Sequence, residues 1–154
     1  MADTSLIYFD ANAFMYGFEG APMVAEPVRK LLAELQARPG CGVTSELVLA
    51  ELLAPVEREG ALPVEVRRTL YVNLLVNGGI FSLRPVTRDI LIETARLRQS
   101  IRLKLPDAIH MVTAVQAGCR FFLSNDRGTR QTPPELRPVK PDDAGVKTIL
   151  AELP

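Results

Sequence analysis

The sequence has no tryptophan, one histidine and two cysteines in 154 residues. Each scarcity excludes something. Cys41 and Cys119 alone make neither a disulfide framework nor a thiolate zinc cluster, and two isolated thiols read as small buried hydrophobes of a reducing compartment. His110 alone leaves a histidine-based metal site or a Ser-His-Asp triad poorly supplied. Aromatic residues are few, 6% of the chain, so aliphatic side chains must fill the core. Charge of one sign is not in excess: Lys+Arg and Asp+Glu are 18 each. Any grip on a phosphate backbone must then come from a local basic patch, not from the overall field. No uncharged apolar run is long enough to span a bilayer. The first residues lack the basic stretch and apolar run of a secretory leader. A cytoplasmic protein with no membrane segment is expected.

What is present is apolar: 47% of the residues are hydrophobic, enough for a sizeable core in one domain spanning residues 1–154. Short apolar runs alternate with helical patterns. Strands are expected at Leu6 to Phe9, Cys41 to Thr44, Phe81 to Pro85, Phe121 to Ser124 and, as an edge between prolines, Leu136 to Val139. A short helix or turn follows Asp10. Further helices are expected over Glu26 to Ala37, Ser45 to Glu59, Pro63 to Val76, Thr87 to Arg102, Pro106 to Gln116 and a C-terminal stretch after "PDDAG". This order predicts an α/β domain with a mostly parallel sheet between layers of helices.

Four acids stand out by context. Asp10 ends the apolar "LIYF" strand. Glu51 sits inside the apolar "LVLAELLA". Asp107 opens the "PDAIHMVTAV" helix. Asp126 follows "FFLSN". Singly, Asp10 reads as a helix cap, Asp107 as a complement to a helix dipole and Asp126 as a turn residue. Glu51 is harder to place, because an unpaired buried carboxylate costs several kcal/mol. Together they form a pattern. In a parallel sheet the carboxyl ends of the strands share one edge, where ligands bind. Carboxylates gathered there repel one another unless a cation joins them, and oxygen donors suit Mg²⁺ or Mn²⁺. Glu46 competes with Glu51, but five residues are about 140° around a helix, so the two cannot serve one ion. His110 reads as a core or rim residue.

In this order the blocks "YFDANAFMY", "TSELVLAELL", "LPDAIHMVTAVQAGC" and "FFLSNDRG" resemble the four motifs of PIN-domain proteins, above all the VapC-type toxins of toxin–antitoxin pairs. The resemblance spans Leu6 to about Val139. It implies an Mg²⁺- or Mn²⁺-dependent endoribonuclease whose acidic site is Asp10, Glu51, Asp107 and Asp126. Asn12 and Asn125 match asparagines of the first and last motifs. Two positions depart from the pattern: Ala11 stands where threonine is common, and Ser124 keeps a hydroxyl where threonine is usual. The resemblance also implies an RNA substrate, a small antitoxin partner and a homodimer. An apolar groove walled by Val64 to Val76 and by Glu26 to Ala37 is the expected antitoxin seat.

RNA must still approach an acidic pocket. Arg98, Arg102 and Lys104 before Asp107, with Arg127 and Arg130 after Asp126, are the candidate phosphate contacts. Two rivals remain. A phosphatase with Asp10 as nucleophile would want a second acid where Asn12 stands. A non-catalytic or RNA-processing binding module would keep the fold without the cleavage.

Overall fold

Side chains along Leu6–Phe9 alternate: Ile7 and Phe9 enter one core and Tyr8 another. That period of two places a strand between two apolar layers. The computed structural model describes residues 5–153, the side chain of Arg130 excepted. Strands β1 (Leu6–Phe9), β2 (Gly42–Ser45), β3 (Phe81–Arg84), β4 (Cys119–Leu123) and β5 (Arg137–Val139) form one sheet in the order β3-β2-β1-β4-β5. Every adjacent pair is parallel, and β1 lies at the centre.

Among the described residues seven α-helices cover the sheet: α1 (Ala11–Glu19), α2 (Pro22–Gln36), α3 (Leu47–Leu53), α4 (Val64–Val72), α5 (Arg88–Ser100), α6 (Leu105–Gln116) and α7 (Asp143–Glu152). Phe14, Leu31, Leu52, Tyr71 and Ile149 bring α1 to α4 and α7 onto the face of Ile7 and Phe9. Ala108, Met111 and Leu97 bring α6 and α5 onto the face of Tyr8 and Phe122. The arrangement is the three-layer α/β/α sandwich expected from the sequence. No helix among the described residues is long and apolar enough to cross a membrane.

Three helices differ from their expected spans by more than two residues. α2 starts four residues early, at Pro22, where a proline fits the first turn. It absorbs Pro27 with the loss of one backbone hydrogen bond, because the ring is buried in the core. α3 stops at Leu53 instead of reaching Glu59. Pro55 pushes Ala54 out of the helical region, to φ −63° and ψ 145°. α4 changes at Asn73 into a π-helical turn that runs to Asn77.

Two packings fix the entry to the site. Phe14 on α1 meets Phe9 and Phe81 with ring centroids 5.3 and 5.1 Å away, and Phe9 and Phe81 are themselves 4.9 Å apart. Such pairs are worth about 0.5–1.5 kcal/mol each beyond burial. They pin α1 to the sheet directly after Asp10. Gly17 lets α2 approach α1 closely: a Cβ there would stand 2.7 Å from Val28 Cγ1.

Candidate active site at the carboxyl edge of the sheet

Asp10 leaves β1 in extended backbone and becomes the N-cap of α1. Its Oδ1 accepts from the Ala11 amide, the first of the helix, at 2.8 Å. Its Oδ2 accepts from the Ser124 hydroxyl at 2.8 Å and from Asn12 Nδ2 at 3.4 Å. The residue is therefore a cap and a site residue at once.

Ser124 is the junction between the first and last motifs. While its hydroxyl donates to Asp10, its oxygen accepts from Asn12 Nδ2 and from the Asp126 amide, both at 3.1 Å. These donors occupy both of its lone pairs, so the Thr129 hydroxyl, also 3.1 Å away, sends its proton instead to the Asp126 carbonyl at 2.7 Å. Asn12 spans the gap with its other end, Oδ1 accepting from the Asn125 amide at 3.0 Å. Asn125 Nδ2 donates to the Tyr16 hydroxyl at 2.6 Å. Asp126 is exposed and caps the 3₁₀ turn Arg127–Arg130, its Oδ1 accepting from the Gly128 amide at 2.9 Å.

Asp107 lies in the first turn of α6, nearly buried, and no described residue donates a hydrogen bond to its carboxylate. Burial first, then repulsion from Asp126 and Asp10, pushes its pKa up to about 6. Burial also raises Asp10, against the opposing pull of His110, Ser124 and the Ala11 amide. The carboxylates of Asp107 and Asp126 flank Gly128. A Cβ on that glycine would stand 3.4 Å from Asp126 Oδ1 and 3.6 Å from Asp107 Oδ2. The missing side chain leaves a space between two oxygens.

Glu51 is held differently. Its carboxylate hydrogen-bonds Nε2 of His110, a fully buried residue of α6. The same Nε2 is 3.7 Å from Asp10 Oδ1. The Tyr8 hydroxyl meets Nδ1 at 2.5 Å on the far side of the ring. An ionised carboxylate only accepts, so Nε2 donates to Glu51. Nδ1 then accepts from Tyr8 in the neutral ring and donates to it in the charged one. Burial opposes a charge on His110, but the bond to Glu51 and the charges of Asp10, Glu51 and Asp107 outweigh it and raise the pKa. The core reading of His110 is right for its burial and incomplete for its contacts. Its separation from Asp107 by one helical turn was the only sequence signal for them.

All four acids named from the sequence thus belong to one electrostatic neighbourhood. Glu46 is exposed and stands at the first position before α3, where its side chain makes no capping hydrogen bond. No group of three His, Cys, Asp or Glu among the described residues is arranged to hold a metal ion as it stands. The donors nevertheless fit a hard divalent cation in kind: they are carboxylate oxygens, one of them unpartnered, beside the opening at Gly128. The basic residues are dispersed. Arg98 Nε donates to the Leu103 carbonyl at 3.1 Å and ties down the α5–α6 loop. Arg102 and Lys104 are exposed on that loop, and Arg127 is exposed in the 3₁₀ turn. The Arg130 side chain lies outside the described residues.

Comparison with known proteins adds the family. In fold the chain is similar to a toxin–antitoxin complex from Klebsiella pneumoniae, at TM-score 0.60 and 21% identity over 85% of this chain and 95% of that one. VapBC2 from Rickettsia felis, bound to a DNA fragment from their promoter, matches at TM-score 0.63 and 12% identity over 88% and 98% of the two chains. FitAcB from Neisseria gonorrhoeae matches at TM-score 0.58 and 18% identity over 80% and 90%. At these identities the likeness concerns the fold. No curated protein matches the sequence. The family model described as PIN domain matches residues 7–133, a stretch that holds all four acids and most of the chain. The chain belongs to the PIN domain family.

Proposed function

We propose that the protein is a cytoplasmic, metal-dependent endoribonuclease acting as the toxin of a VapBC-type pair. The observation that carries this reading is the acidic neighbourhood itself. Asp107, with no hydrogen-bond donor and a pKa pushed up to about 6, stands with Asp10 and Asp126 at the carboxyl edge of a parallel sheet. Such a cluster is costly in a protein with no use for it.

Asp10, Asp107 and Asp126 would hold Mg²⁺ or Mn²⁺, with Glu51 completing the donor set. When bound, a hard divalent cation supplies activated water and neutralises charge on a phosphodiester. The chain's own residues do the positioning. Ser124, Asn12 and the Ala11 amide fix the Asp10 carboxylate. His110 and Tyr8 aim Glu51 from the opposite side. Arg102, Lys104, Arg127 and Arg130 would contact RNA phosphates away from the acids. Arg98 would act through the loop it ties down, which carries Arg102 and Lys104.

Similar folds in a toxin–antitoxin complex and in VapBC2 support an antitoxin partner; the homodimer rests on the VapC resemblance of the sequence alone. The pairing of Glu51 with His110 favours one second reading, a PIN-fold RNA-binding module that does not cleave. A single assay separates the two. Wild type, Asp10→Asn and Asp107→Asn are incubated with RNA in Mg²⁺, Mn²⁺ or EDTA. Cleavage by wild type alone, abolished by EDTA, is the expected result. Cleavage that survives both substitutions refutes the metal-site reading, and binding without cleavage supports the module.

A further inference from the structure

The geometry points to a subsite for an unpaired nucleobase at Tyr16, beside the acidic cluster; this deepens the nuclease reading and rests on it. Three cavities adjoin along the carboxyl edge. One, of about 340 Å³, runs from Arg58 past Asn12 to Tyr16 and Val24. The next, of about 270 Å³, shares Tyr16 and Val24 and ends at Asn125. The third, of about 220 Å³, shares Asn125 and continues past Asp126 to Lys140. Because they share these residues, we read the three as one groove, with Arg58, beside Glu19, at one end and Lys140 at the other. It touches the acidic cluster twice, at Asn12 beside Asp10 and at Asp126.

Its middle sets an aromatic ring and apolar side chains opposite two aspartates. Tyr16 stands in the wall common to two cavities, half-exposed, with its hydroxyl fixed by Asn125 at 2.6 Å. Met23, 88% exposed in the first turn of α2, and Val24 lie on the same wall. With the Tyr16 ring they make a contiguous apolar surface on which a flat ring can lie. A single-stranded nucleic acid matches this layout: bases stack on aromatic side chains while cations meet the backbone.

The charges on the middle cavity say which part of the strand enters it. Asp142 and Asp143 line it. Asp142 is engaged in capping α7, its Oδ1 accepting from the Gly145 amide at 2.8 Å, whereas Asp143 is exposed. A carboxylate there repels a phosphate and accepts from an exocyclic amine. The cavity therefore takes a base in preference to a phosphate, and favours an exocyclic amine, with two N–H donors, over uracil, which offers its single N3–H, while the phosphates lie toward Arg58 and Lys140.

The test is fluorescence anisotropy of labelled hexanucleotides, oligoadenylate and oligouridylate, with the full chain in EDTA, paired with cleavage of mixed RNA in Mn²⁺. Tyr16→Ala should weaken oligoadenylate binding about tenfold, and Tyr16→Phe, which keeps the ring, should retain most of it. Met23→Glu, at an exposed position that leaves the fold intact, should weaken it as well. Asp143→Asn should narrow the preference for oligoadenylate over oligouridylate. If wild type cleaves RNA and neither Tyr16→Ala nor Met23→Glu changes affinity, the subsite is overturned and the nuclease reading stands. If wild type neither binds nor cleaves any RNA, both fall.

Discussion

Nε2 of His110 lies 3.7 Å from Oδ1 of Asp10, so the one histidine of the chain stands beside the most firmly held acid of the site. It also joins α6 to α3 through Glu51 and reaches Tyr8 on the central strand. Replacing it by phenylalanine leaves the buried Tyr8 hydroxyl without this partner and frees Glu51. Urea unfolding should show a loss of about 1–3 kcal/mol for His110→Phe and about 1 kcal/mol for Tyr8→Phe. No loss in either variant would mean that the bridge is incidental.

The pH dependence of the metal-free protein follows from three raised groups, Asp10, Asp107 and His110. Each binds its proton more tightly in the folded chain than in the unfolded one. Stability is therefore greater where these groups are protonated and falls as pH rises through about 6, the value for Asp107. Thermal melts in EDTA should give a lower Tm at about pH 7.5 than at about pH 5. Asp107→Asn should flatten the difference, since its amide has no proton to lose in that window. Mn²⁺ added at the higher pH should restore Tm in wild type.

Ser124 tests how tightly the first and last motifs are coupled. Its hydroxyl serves Asp10, Asn12 and the Asp126 amide together. Ser124→Ala should cost about 1–3 kcal/mol in chemical denaturation and weaken Mn²⁺ binding in calorimetry. Ser124→Thr keeps the hydroxyl and should restore both. Equal behaviour of the two variants would contradict the junction.

A second buried polar group lies away from the acids. Arg67 and Glu19 have side chains only 2% exposed, with Nε and Oε1 3.1 Å apart. That approach is a contact of charges rather than an aligned hydrogen bond. Arg67 also donates to the Ala54 carbonyl at 2.9 Å, and Tyr71 donates to Glu19 at 2.6 Å. Arg67→Met should cost about 3–5 kcal/mol by stranding a buried carboxylate, and adding Glu19→Gln should recover most of it. A double variant as unstable as the single would show that the packing of Arg67, not its charge, is what matters.

Asp10 and Asp107 were legible because each marks the start of a helix beside an apolar run, Asp126 because it follows a strand, and Glu51 because it sits inside an apolar helix. Asp10 after "LIYF" and Asp107 after Pro106 are marked by their neighbours alone. The burial of Arg67 was not legible. In "VEVRRTLYV" it looks like its neighbour Arg68, and only the packing of α4 against α1 and the end of α3 distinguishes them. The same holds for His110, whose role depends on α6 lying against the sheet opposite Glu51. The early end of α3 was readable in Pro55, which a helical pattern running to Glu59 overrode.

The strand order carries a consequence for the growing chain. β1 is made first but lies at the centre of the sheet, and its partner on one side, β4, is made long afterwards. Ser124, which holds the second oxygen of Asp10, arrives with β4, and Asp126 follows it. Asp107 precedes them by one helix. A ribosome-bound chain that has released only β1, β2 and β3 cannot gather its acids, because pairing between distant segments must wait for the later one. The order of translation thus delays assembly of the cluster until β4 and the turn after it have been made.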